Sequence, residues 1–423
     1  MHIAGFAHIL ILLIAAVSIL LMLVRPRRLE EVYWVGGGAL LLVLMRLMPV
    51  RAAWHAIGEG TDVYLFLIGM MLLSELAREQ GVFDWMASVA VRHSRGSCAR
   101  LFLLVYVIGT LVTIFMSNDA TAVVLTPAIL AAVRKAKAPA LPYLFVCAFI
   151  ANAASFVLPI SNPANLVVFH RGMPSLGHWM AAFAVPSVLS IVVTYGVLRW
   201  VFRRPLEQCE GAVADPDPLS ANGAIVLGGL ALVIVVLLCC SAYEVDLGLP
   251  TCVTAIAVTA LVCTKAKANP WKLAKEISWS TLALVGALFV LVDAVESTGA
   301  LAYAQQALRA AEHLPAIAGA MATSFIVGVG NNLINNLPLG LIASSTLAAT
   351  HASPLMTNAV LIGVDLGPNL SVTGSLATIL WLIALRREGL HVSALDFLKV
   401  GALAMPAALL AATAGAVVMQ MLR

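Results

Sequence analysis

The sequence predicts an all-α polytopic membrane protein made of two inverted five-span repeats, each with a re-entrant hairpin and a broken helix. Three observations carry that expectation: an apolar, charge-poor composition, a similarity between the two halves, and four polar interruptions placed alike in each half. Of 423 residues, 61% are hydrophobic and 11% charged, against roughly 25% charged in soluble domains. That composition excludes a large soluble enzyme. The net charge of +4 reflects where Lys and Arg sit relative to a bilayer, so no nucleic-acid partner is implied.

The first apolar run, 3–24, exceeds a signal-peptide core and lacks a small-residue cleavage pattern, so it reads as a retained span. Ten spans of about 20 residues fit at 3–24, 31–49, 61–78, 141–169, 177–199, 222–242, 249–264, 279–297, 355–385 and 394–421. Two further apolar stretches, 101–133 and 315–350, have polar centres and matching flanks. They read as hairpins that enter and leave on one side. With the loop Arg25-Pro26-Arg27-Arg28 in the cytoplasm, all but Arg46, Arg51, Arg171, Arg309 and Arg423 of the 25 basic residues share that side. Both termini then lie outside. The first hairpin enters from the cytoplasm between Arg100 and Arg134, the second from outside between His313 and His351.

Residues 203–221, with Pro205, Pro216 and Pro218, are the one sizeable polar linker and separate an N-terminal repeat, 1–202, from a C-terminal one, 222–423. Leu67-Ile68-Gly69 through Gly81-Val82-Phe83-Asp84-Trp85 matches Leu284-Val285-Gly286 through Gly299-Ala300-Leu301-Ala302-Tyr303. Five spans per half is an odd number, so the second half inserts upside down, the plan of many secondary transporters.

The interruptions are the chemistry. Ser117-Asn118-Asp119-Ala120-Thr121 lies mid-way along the first hairpin and Asn335-Asn336-Leu337-Pro338 in the second. A charged side chain at bilayer depth costs roughly 2.5–3.5 kcal/mol on insertion scales, which makes Asp119 a functional candidate. Pro159, Ser161, Asn162 and Pro163 break span 141–169, and Asp365, Pro368, Asn369 and Thr373 break span 355–385. Irregular backbone survives in a membrane only where it is buried in protein or lines a cavity. The four breaks are therefore expected to meet at the midplane as one site: Ser117, Asn118, Thr121, Ser161, Asn162, Asn335, Asn336, Asn369 and Thr373 bind substrate, and Asp119 and Asp365 carry protons. No Lys or Arg lies in any interruption, and carboxylates without cationic partners are suited to taking up and releasing protons. The plainer alternative is that both Asp residues cap the helices they precede.

Glu59, Asp62 and Glu296 read as interfacial, and Asp293 and Glu75 as nearer span interiors, where packing explains them as well as a proton path does. Seven scattered Cys and nine His show no metal-ligand spacing, so disulfides, zinc and iron–sulfur clusters are not expected, nor is any cofactor. Cys147 reads as a packed apolar group.

Ser117-Asn118-Asp119-Ala120-Thr121 with Leu125-Thr126-Pro127, Asn335-Asn336-Leu337-Pro338, and Gly363-Val364-Asp365-Leu366-Gly367-Pro368-Asn369 with Thr373-Gly374-Ser375-Leu376-Ala377-Thr378 and Leu380-Trp381 resemble the ArsB family of arsenite/antimonite efflux permeases. The resemblance covers essentially the whole chain. It implies a bacterial inner-membrane antiporter exporting As(OH)3 or Sb(OH)3 against protons, in some members as the partner of a soluble arsenite-stimulated ATPase. Where family members often read Ala-Asp-Thr-Ala-Ser, this chain has Ala151-Asn152-Ala153-Ala154-Ser155, which shifts weight onto Asp119 and Asp365. Chemically, the trihydroxides are neutral near pH 7, and hydroxyls can be held by Asn, Ser and Thr without a counter-charge. The nearest rival is a sodium/proton antiporter of the same superfamily, then a dicarboxylate carrier, whose relatives show Ser-Asn-Thr at both tips. A membrane enzyme would show a metal motif or catalytic His and Cys near water, and none is visible.

Overall fold

The computed structural model describes residues 2–209, 218–266 and 270–422. Linker residues 210–217, Lys267 and Arg423, all used in the sequence reading, lie outside the described residues. The first half runs through α1 (His2–Val24), α2 (Glu31–Leu44), α3 (Val50–Glu59), α4 (Thr61–Glu79), α5 (Val82–Ser94), α6 (Cys98–Phe115), α7 (Thr126–Lys135), α8 (Ala140–Ala153), α9 (Pro163–Val168), α10 (Leu176–Val201) and α11 (Arg203–Glu207). The second half follows with α12 (Ala221–Ala242), α13 (Gly248–Ala266), α14 (Pro270–Glu276), α15 (Trp279–Ser297), α16 (Ala302–Glu312), α17 (Ala316–Ile334), α18 (Asn336–Thr350), α19 (Pro354–Leu366), α20 (Leu376–Arg387) and α21 (Ala394–Met421). All regular structure among the described residues is helical. Eight of these helices are long and apolar enough to cross a membrane, and α3 with α4, bent by 49°, makes a ninth.

The expected span 31–49 is a correction. Its helix stops at Leu44, because the chain turns through Arg46 in the left-handed region and Pro49 then caps a separate amphipathic helix, α3. Fourteen residues reach only about 21 Å at 1.5 Å each. The α4-to-α5 and α15-to-α16 corners are turned by Gly81 and Gly299, at φ 70° and 78°, values that cost other residues steric strain. These two glycines sit at matching places in the segments that look alike in sequence.

Packing repeats between the halves as well. Helix α4 lies on α13 while α15 lies on α2; α6 packs on α8 while α17 packs on α19; and α10 lies along α21. Small residues allow the closest approaches. A Cβ at Gly363 would sit 2.7 Å from the Ser324 carbonyl, and one at Gly367 2.5 Å from that of Gly328, which is why α19 can lie directly on α17.

One expectation fails outright. Cys98 and Cys209, 111 residues apart, form a disulfide with Cα atoms 5.9 Å apart. Cys-pair spacing could not show it, because only the packing of α11 against α6 brings the two thiols together.

Candidate functional site

The first hairpin tip is set by its own polar residues. Helix α6 stops at Phe115, and the Ser117 hydroxyl accepts from the Ala120 N–H at 3.2 Å. Pro127, with no N–H to donate, falls in the first turn of α7, and the backbone of Ala120–Leu125 winds as a wider π-helical stretch before it. The Thr121 hydroxyl meets that of Thr113 at 2.8 Å, tying the hairpin arms together.

The second tip turns on one residue. Asn335 has φ 74° and ψ 156°, a region essentially reserved for glycine and costing on the order of 1–3 kcal/mol for other residues. Its amide donates to the Thr373 carbonyl at 3.2 Å, and the next N–H, of Asn336, donates to the Gly374 carbonyl at 3.0 Å. The second hairpin is thus pinned to the second break. Asn335→Ala keeps the strain and loses the amide contact, whereas Asn335→Gly loses the contact and relieves the strain. Thermal unfolding in detergent is expected to rank wild type and Asn335→Gly above Asn335→Ala.

At the breaks, carbonyls freed from helical bonding find side-chain donors. The Asn165 amide donates to the carbonyls of Ser155, Leu158 and Pro159 at 2.9, 3.4 and 3.3 Å. Ser161 donates to the Ile114 carbonyl at 2.9 Å and accepts from the Leu158 N–H at 3.2 Å. In the other half, Asn331 donates to the carbonyls of Gly363 (2.9 Å) and Val364 (2.6 Å), and Asn332 to that of Gly367 (3.0 Å). Asn332 also accepts from Ser371 through its side chain and from Thr373 through its carbonyl.

All four interruptions contribute to the lining of one small space: Asn118 and Asp119 from the first tip, Asn162 from the first break, Asn336 from the second tip and Ser375 from the second break. None of the described residues lining it is Lys or Arg. The first residues of α9, α18 and α20 also face it, so three positive helix ends converge there. Behind this wall Asp365 is fully buried and accepts from the Asn162 amide at 2.6 Å. The Asn162 Oδ1 meanwhile caps α9 by accepting from the Ala164 N–H. Asn118 Oδ1 and Asn336 Oδ1 are buried acceptors with no hydrogen-bond partner, and the Asp365 carboxyl has the Ser155 hydroxyl beside it. A buried polar atom left unmatched costs about 1–3 kcal/mol, so this arrangement is suited to a ligand that brings donors.

Neither aspartate is a helix cap. Asp119 makes no side-chain cap hydrogen bond, Asp365 sits in the last turn of α19, and capping falls instead to Asn162 and Ser375. Of the other residues expected to bind substrate, Ser117 lines an adjoining cavity with Asp119. Thr121, Ser161, Asn335 and Thr373 are engaged in the backbone and hairpin bonds above. Asn369 accepts from Asn152 and donates to the Phe149 carbonyl, both at 3.0 Å, joining the two halves. Cys147 is buried on α8 away from the lining. Sequence reasoning passed over Thr281 and Ser375, which line the space, and Asn165, Asn331 and Asn332, which build its walls. Ser375 lay inside a motif already singled out and Asn165 inside the expected broken span 141–169; Thr281 had no such signal.

The adjoining cavity, about 770 Å³, runs from Ser117 and Asp119 to Glu75, Glu276 and Ser278. Glu75 there is paired with Arg78, and Asp62 accepts from the Gly248 N–H at 2.6 Å, fixing α4 on α13. At the other end of α15 a polar cluster ties elements together. Ser345 donates to Glu296 at 2.7 Å, Arg171 lies 3.5 Å from Glu296, and His170 contacts Ser344 (3.1 Å) and Glu59 (4.0 Å). Asp293 is half-buried beside Glu59 and Glu296.

Known proteins resemble the chain along most of its length. The arsenical pump membrane proteins of Yersinia enterocolitica and Escherichia coli strain K12 are 25% and 24% identical, over 90% of this chain and 91% of theirs. A transporter of Mycobacterium tuberculosis strain H37Rv is 25% identical over 82% of this chain and 83% of its own. The YdaH transporter of Alcanivorax borkumensis shares the fold, with a TM-score of 0.56 and 15% identity over 87% of this chain and 86% of that one. The family model described as a citrate transporter matches residues 9–364, and the chain belongs to the CitMHS family of membrane transporters.

Proposed function

We propose that the protein exports arsenite and antimonite, as their neutral trihydroxides, in exchange for protons. The observation that carries this reading is the convergence of Asn118, Asp119, Asn162 and Asn336 on one space whose described lining has no cationic side chain, with Asp365 one hydrogen bond behind. Orphan amide oxygens and the Asp119 carboxylate can accept from As–OH groups, and an absence of cysteine from that lining favours release over thiolate capture. Two oppositely inserted repeats would bring the breaks together in this way. With the basic loops in the cytoplasm, the cavity beside Asp119 opens inward and the Glu59–His170–Arg171–Glu296 cluster closes the outer side. The name of the arsenical pump relatives supports the substrate.

The family model's description favours a second reading, a carrier of citrate or another multiply charged carboxylate. Only helix ends would neutralise such an anion here, and Asp119 would repel it. Everted vesicles with an imposed pH gradient, offered arsenite, antimonite, citrate and sodium in turn, separate the readings. Arsenite and antimonite uptake that collapses with the gradient is the expected result; gradient-driven citrate or sodium movement alone overturns it. Asp119→Asn is expected to lower arsenite uptake at least tenfold at unchanged protein level in the membrane. Cys147→Ala is expected to leave uptake within twofold, since the thiol stands away from the site.

A further inference from the structure

The mechanism above leaves one buried carboxylate unused. Glu31, the first residue of α2, is 7% exposed. Its Oε2 is 2.9 Å from the Arg25 guanidinium, and its Oε1 has no hydrogen-bond partner. It stands in the wall of two cavities at once. The outer, about 700 Å³, is bounded by Arg25, Glu30, Ser278, Ser280, Thr281 and Arg387. The inner is a narrow crevice that runs past Leu376 and Ile379 to Asn335 and Leu337 at the second hairpin tip. Leu376 and Leu337 also line the central space, and Ser278, Thr281, Leu376 and Leu380 border both the outer cavity and the one beside Asp119, so Glu31 stands where the surroundings of the site meet the mouth on the basic side.

Resting on the antiporter reading, we propose that Glu31 is a proton relay, carrying the exchanged proton between the central site and the cytoplasmic mouth. The charged groups facing it are Arg25 and Glu30 from the α1–α2 turn and Arg387 from α20; α15 contributes the hydroxyls of Ser278, Ser280 and Thr281, and α1 the apolar Met22 and Leu23. A proton leaving the site passes to the Glu31 carboxylate, and the neutral acid no longer holds the Arg25 ion pair. It then gives the proton to water in the outer cavity, and the carboxylate pairs with Arg25 again. One proton enters and one leaves, with no other bond changed. The partnerless Oε1 is the atom that accepts, because Oε2 is already engaged.

The test uses full-length protein in liposomes containing a pH-sensitive dye. Two quantities are read: arsenite-driven proton flux, and exchange of labelled for unlabelled arsenite at equal pH, which needs no net proton movement. Glu31→Gln is expected to cut proton flux at least tenfold and flatten its pH profile while leaving arsenite exchange within twofold. Glu31→Asp is expected to restore most of the flux. Wild-type proton flux in Glu31→Gln overturns the relay, as does a parallel loss of exchange and flux that Glu31→Asp does not rescue, which marks a purely structural role. If the wild-type protein itself exchanges no arsenite, the substrate reading fails, and the two failures are told apart.

Discussion

Asp365→Asn is expected to abolish arsenite efflux, by at least a hundredfold, while the protein inserts and folds normally. The new side chain still offers an oxygen to the Asn162 amide, which donates to Asp365 at 2.6 Å, so the break keeps its shape. What disappears is a group able to hold a proton at the fully buried position behind the substrate space. Asp365→Ala is harsher, since it strands the Asn162 donor in the interior at about 1–3 kcal/mol. Size-exclusion profiles in detergent, set against vesicle uptake, separate the two effects. Wild-type uptake from Asp365→Asn would place proton coupling elsewhere.

Gly401→Ala is expected to cost nearly as much by a different route. A Cβ there would lie 2.4 Å from the carbonyl oxygens of both Asn369 and Leu370, far inside contact distance and against backbone that cannot swing aside. Helix α21 must then draw back from the second break, or the break must shift and carry Asn369 away from Asn152. Uptake is expected to fall at least tenfold, and unfolding in detergent to come several degrees earlier. Gly228→Ala, on α12, serves as a control for loss of a glycine alone, because a Cβ there meets nothing within 4 Å.

Much of this arrangement could be read before any coordinates. A proline pair inside an apolar run, or Asn-Asn before Leu-Pro, is a local statement about backbone that cannot remain helical, and the helices do end at those residues. The roles of the individual polar groups were less legible. Asn162, Asn336 and Asn369 look alike in sequence, yet the first lines the central space while capping a helix and holding Asp365, the second lines it with its amide oxygen unbonded, and the third is consumed in a bond between halves. Which one faces the space depends on rotations of a few tens of degrees about each break, and no periodicity records those. The short α2 and the Cys98–Cys209 bond escaped notice for a related reason: one depends on a turn amid apolar residues, the other on contact across 111 positions.

The bonds Asn152–Asn369, Asn369–Phe149 and Asn162–Asp365 cross from one half of the chain to the other inside the same buried interior. Prising the halves apart along that seam would bare several amides and a carboxylate at once, each at a cost of about 1–3 kcal/mol, with nothing nearby to replace the lost partners. The less costly way to turn the substrate space from one side of the lipid to the other keeps the stitched centre whole and lets it travel against the outlying helices. Such travel would have to release the contacts of Glu296 with Ser345 and Arg171 and of Glu59 with His170, which tie α15 and α3 to that centre.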